Sequence, residues 1–124
     1  MLEYTALLFI ALSVFAWNKN NIDYGNGFLF LTITSYIWHS SNKYDYIKNW
    51  RFWFDQFAIF NIVLIGIYNY IMYCNNFYCK LIIFICFISC IILYLLNLKI
   101  IDDRIHLIIH LLTIFAHTLI IFNF

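Results

Sequence analysis

The chain has 124 residues, of which 65% are apolar and only 10% charged, and its net charge is +1. A soluble domain is roughly 45–50% apolar and 25% charged, so this much apolar surface excludes water as the main solvent. The same hydrophobicity excludes disorder, and the near-neutral charge excludes a nucleic-acid binder. What remains is an all-α, multi-pass integral membrane protein with a single domain over residues 1–124. About five helices of ~20 residues account for nearly the whole length.

The first span is expected over residues 2–17 and ends at the polar run Asn18-Lys19-Asn20-Asn21. A cleaved signal peptide is the alternative there. Glu3 stands where a basic region belongs, however, and no small-residue cleavage site follows. The second span is expected over 27–40. After it, Lys43, Asp45, Lys48 and Arg51 alternate with Tyr44, Tyr46 and Trp50 in a loop suited to the headgroup layer. The third span covers 54–73 and is followed by a short polar turn from Cys74 to Lys80. The fourth covers 81–98 and the fifth 105–122. Asp102 and Asp103 stand at the N-cap of the fifth span, against its positive end.

Basic residues set the orientation. The side of the N-terminus holds Lys43, Lys48, Arg51, Lys99 and Arg104, and the other side holds Lys19 and Lys80. This places the N-terminus in the cytoplasm.

Ionisable groups inside spans are the informative ones, because hydrocarbon makes them expensive, by roughly 2.5–3.5 kcal/mol for an Asp at mid-span. His39 ends the second span, Asp55 opens the third, and His106 and His110 occupy the first two turns of the fifth. The topology therefore collects all four in one shallow layer near the cytoplasmic face. His106 and His110 lie about 40° apart on one helix face, the spacing of a zinc half-site. Ser35 has the same spacing to His39, one turn deeper. Three neutral imidazoles and a water make an open Zn²⁺ site, and zinc lowers the pKa of such a water towards ~7. A carboxylate beside it suits a general base, and a hydroxyl suits an oxyanion donor. Asp55 and Ser35 fit those roles as catalytic residues. His39, His106 and His110 fit as metal ligands, and Asp103 as a partner orienting His106. In the plainer alternative, the histidines bond to backbone or headgroups, while Asp55 caps the third span and pairs with Arg51.

Ser35-x-x-x-His39, Asp55 and His106-x-x-x-His110, in this order on successive helices, resemble the CREST superfamily of membrane hydrolases. This group contains alkaline ceramidases, adiponectin-receptor-like proteins and the hemolysin III family. The third span is similar to the hemolysin III and progestin/adipoQ receptor branch. It reads Asp55-Gln56-Phe57-Ala58-Ile59-Phe60 and then Ile65-Gly66-Ile67-Tyr68, against a pattern of Asp, Ala-Ile and a later Gly-x-Tyr. The resemblance implies zinc on His39, His106 and His110. It also implies that Asp55 activates the zinc-bound water, that Ser35 lies beside it, and that a ceramide-like lipid amide is hydrolysed. A receptor-like lipid sensor with zinc as a clamp, or a purely structural membrane protein, is the alternative. Members of the superfamily have seven spans, two more than are counted here. A bundle of five leaves the lipid cavity open to the bilayer or completed by a second copy. The partners expected are thus a membrane lipid and a homo-oligomer.

His117 shares a face with His106 and is expected to be a buried, hydrogen-bonded residue or part of a cavity wall. Cys74 and Cys79 are read either as a disulfide or as two free thiols, and Cys86 and Cys90 as core. Asn61, Asn69 and Asn97 are expected to bond between helices.

Overall fold

The computed structural model describes residues 2–41, 49–100 and 102–124. All regular structure among them is helical: α1 (Leu2–Leu7), α2 (Phe9–Asn18), α3 (Ile22–His39), α4 (Trp50–Tyr73), α5 (Phe77–Lys99) and α6 (Asp103–Phe122). Leu8, between α1 and α2, keeps α-helical angles, so the two form one nearly continuous rod. The described residues thus form a bundle of five rods, and the all-α class is as expected.

Four helices begin earlier than the hydropathy places them, each at a side-chain cap. Asn21 accepts from the Tyr24 N–H, Asn49 from Arg51, Asn76 from Tyr78 and Cys79, and Asp102 from Arg104. Each cap satisfies amide donors that the first turn leaves unpaired. Trp50 and Arg51, expected in the surface loop, therefore open α4. Lys43, Tyr44, Asp45, Tyr46 and Lys48 of that loop lie outside the described residues. Asp55 is not a cap either; Asn49 takes that role, and Asp55 falls in the second turn of α4, 2% exposed.

Helices α4, α5 and α6 are long and apolar enough to cross a membrane. The α1–α2 rod is shorter. Helix α3 has the length, with 18 residues, but carries Asp23, Asn26, Thr32, Thr34, Ser35 and His39. Its neighbours explain how it tolerates them. The α1–α2 rod packs on α3, α3 on α4, α4 on α6, and α6 back on the rod, closing a ring of four. Ten α3 residues are buried, Thr32, Thr34, Ser35 and His39 among them, so these polar groups face protein and can be paired there.

Helix α5 lies outside this ring and packs mainly on α6. The buried apolar core reflects that division. Phe9, Leu12, Tyr24, Phe28, Ala58, Ile62, Ile120 and Ile121 come from the ring, while α5 adds only Ile83 and Cys86. The outward faces of α4 and α5 are bands of large apolar side chains, such as Phe57, Phe60, Ile85 and Ile92. In water such a band would be a liability; facing lipid it is the expected surface.

Between helices, backbones approach where side chains are small. The Ser13 hydroxyl donates to the Gly25 carbonyl at 2.6 Å, and a Cβ on Gly25 would fall 2.2 Å from the Trp17 ring. Glycine is therefore required for α2 and α3 to meet as they do.

Candidate metal centre

Helices α3 and α6 meet across the ring through side chains rather than by close backbone approach, and histidines fill the gap at two depths. At one end, His39 is the last residue of α3, and His106 and His110 face it from the first two turns of α6. The ring centroids are 4.7 Å apart for His39–His106, 5.2 Å for His39–His110 and 4.8 Å for His106–His110. One ligand nitrogen from each ring lies within 4.8 Å of the other two. The three histidines singled out from spacing and topology are thus brought together. They come from helices sixty-seven residues apart in sequence.

The donor set fits a transition-metal ion. Three imidazoles suit zinc, copper, iron or nickel rather than magnesium or calcium. Zinc–nitrogen bonds of about 2.1 Å at tetrahedral angles require nitrogens about 3.4 Å apart. The rings need close by no more than about 1.4 Å from their present spacing, a motion within side-chain reach. His39 and His110 are buried and His106 is half-buried, so the cluster sits inside the bundle end.

Outer partners orient two of the rings. Thr5, on α1, places its hydroxyl 2.9 Å from His110 Nδ1. A hydroxyl can accept from Nδ1–H and leave Nε2 free for a metal. Asn97, in the last two turns of α5, sets its amide nitrogen 3.2 Å from His106 Nδ1. Asp103, expected in that role, is exposed. Neither Thr5 nor Asn97 was singled out as a site residue by the sequence. A threonine in an apolar stretch carries no periodic signal, whereas Asn97, a costly amide near a span end, did signal a bond between helices.

Asp55 is fully buried on α4 and accepts from the Thr34 hydroxyl at 3.3 Å. Thr34 precedes His39 by five residues on α3. The mutually close ligand atoms are those of His39, His106 and His110. Ser35 is buried as well.

Further along α6, His117 Nδ1 is hydrogen-bonded to the Tyr24 hydroxyl, and the Phe28 ring stands edge-on to it at 5.0 Å. His117 is therefore the buried, bonded histidine that its position suggested. Gly66 makes room for it, since a Cβ there would lie 2.7 Å from His117 Cε1. Below this layer, Asn21 donates to Asn69 at 2.8 Å. All four cysteines are free thiols, with Cys86 buried as expected of core.

No protein-family model matches the chain, and no curated protein or solved structure matches it.

Proposed function

We propose that the chain is a zinc-dependent membrane hydrolase of the CREST kind that cleaves a lipid amide at the His39–His106–His110 centre. The observation that carries this reading is the convergence of three imidazoles from two distant helices, one of which, His110, has a hydroxyl partner able to accept from its Nδ1–H. A zinc ion on three imidazoles supplies Lewis acidity and a water ionised near neutral pH. Asp55 is the proton acceptor in this reading, held by Thr34 in a site shielded from bulk water. Ser35, one turn from His39, donates to the oxyanion that develops when the amide carbonyl is attacked. The substrate is a ceramide-like lipid that enters sideways from the bilayer, and a second copy of the chain completes the cavity. In this reading the centre lies at the cytoplasmic face, which the excess of Lys and Arg expected on that side from the sequence supports.

The test is metal content of the detergent-purified chain beside a His106→Ala/His110→Ala double variant, followed by a lipid-amide screen. About one zinc per chain, lost in the double variant, together with release of a fatty acid that Asp55→Asn abolishes, is the expected result. Folded, metal-supplemented protein without zinc would overturn the reading.

A second reading rests on the way α3 and α6 meet. The histidine layer joins two helices that otherwise touch through few side chains, which suits zinc as a structural clamp in a lipid-sensing protein. It expects chelation to lower the unfolding temperature with no lipid consumed.

A further inference from the structure

The amide of Asn97 has two neighbours, and one of them fixes which way it faces. The Asp102 backbone N–H lies 3.2 Å from Asn97 Oδ1, and an N–H can only donate, so that atom is the oxygen. The other end, Nδ2, lies 3.2 Å from His106 Nδ1 and can only donate as well. Nδ1 of His106 is therefore the acceptor, and the proton of the neutral ring sits on Nε2. Metal ligands usually show the reverse polarity, with one ring nitrogen on the metal and the other donating its proton to a carboxylate, carbonyl or water.

We propose that Asn97 is a positioning residue that sets the tautomer of His106, and with it the ring nitrogen available to a metal. Asn97 holds Nε2 protonated and so restrains loading of the centre. For Nε2 to bind a metal, the proton must move to Nδ1 and the amide must turn over. That turn replaces Oδ1 by Nδ2 in front of the Asp102 N–H and breaks the bond that ties the end of α5 to the start of α6. Metal occupancy and the α5–α6 turn are thereby coupled through one side chain. The coupling to metal rests on the metal-centre reading above; the tautomer assignment does not.

A carboxylate at this position removes the conflict, because its two oxygens accept from the Asp102 N–H and from Nδ1–H together. The experiment compares the wild-type chain with Asn97→Asp. Long-range proton–nitrogen NMR of the imidazoles in the metal-free proteins gives the tautomer, and competition titration with zinc gives the affinity. We expect His106 as the Nε2–H form in the wild type and as the Nδ1–H form in Asn97→Asp. We expect zinc to bind Asn97→Asp at least about tenfold more tightly, the size of outer-partner effects at metal sites. Arg104→Gln, exposed beside the site and outside this network, shifts the net charge in the same sense as Asn97→Asp, separates tautomer control from general charge and should leave both readouts near wild type. A wild-type His106 already in the Nδ1–H form, or one unmoved by Asn97→Asp, overturns the proposal. So does an affinity that stays level while the tautomer moves. If the tautomers behave as expected but zinc binds neither protein, the assignment of Asn97 stands and the metal-centre reading fails.

Discussion

At the scale of single residues, the bundle interior is tuned by groups that contribute little volume. Thr5 is one: its hydroxyl is the only part of it that addresses His110 Nδ1. Thr5→Val keeps the shape and removes that acceptor, so zinc affinity should fall about tenfold with little change in stability, as read by competition titration. Gly66 is another. The added methyl of Gly66→Ala meets His117 Cε1, part of a ring held by Tyr24 and Phe28. Overpacking of this kind costs about 1–3 kcal/mol, and the thermal midpoint in detergent should drop accordingly while the distant histidine cluster still binds metal. Sequence reasoning reached His39, His106 and His110 because charged or titratable groups in hydrocarbon are expensive, and because counting spans gives the end at which each lies. It did not reach Thr5, whose part depends on how the first rod docks. Nor did it find the start of α4, which is set by Asn49 rather than by hydropathy.

At the scale of elements, asparagine does much of the punctuation in this proline-free chain. Asn21, Asn49 and Asn76 each begin a helix that apolarity alone would start later. They are not equivalent. Asn76 only caps α5 at an exposed turn, so Asn76→Ala should cost about 1 kcal/mol. Asn21 is buried and also donates to Asn69, so Asn21→Ala loses a cap and leaves a buried oxygen short of a donor. Its cost should be about 2–3 kcal/mol, and the larger shift in unfolding midpoint distinguishes the two. The turn between α4 and α5 gives a further check. Burial pushes the Cys74 thiol up, the neighbouring Cys79 thiol adds to this, and Lys80 partly pulls it back. Since only the thiolate is alkylated, labelling of Cys74 should stay slow through pH 8. It should climb only above the ordinary thiol range of about 8.5, in a variant lacking the other three cysteines. Helix α3 shows where composition misleads: its polar residues weaken it as a hydropathy signal, yet it is the element most enclosed by protein.

At the scale of the whole molecule, the ring of four rods with α5 outside could not be read from the sequence. Successive helices joined by a short turn are expected to pack on each other, and α4 and α5 barely do. Instead, α5 lies on α6 and reaches α4 through Tyr94, whose hydroxyl donates to Gln56. A plain up-and-down order would have paired α5 with α4 as well as with α6. The ligand set has a consequence for biosynthesis. His39 enters the nascent chain sixty-seven residues before His106, a gap of roughly 3–13 s at about 5–20 residues per second. Throughout that interval the ribosome-bound intermediate holds one imidazole of three and no competent centre. An ion held by all three rings would therefore be bound only once the last helix has been made, so the pool supplying it would meet the assembled bundle, not the emerging polypeptide.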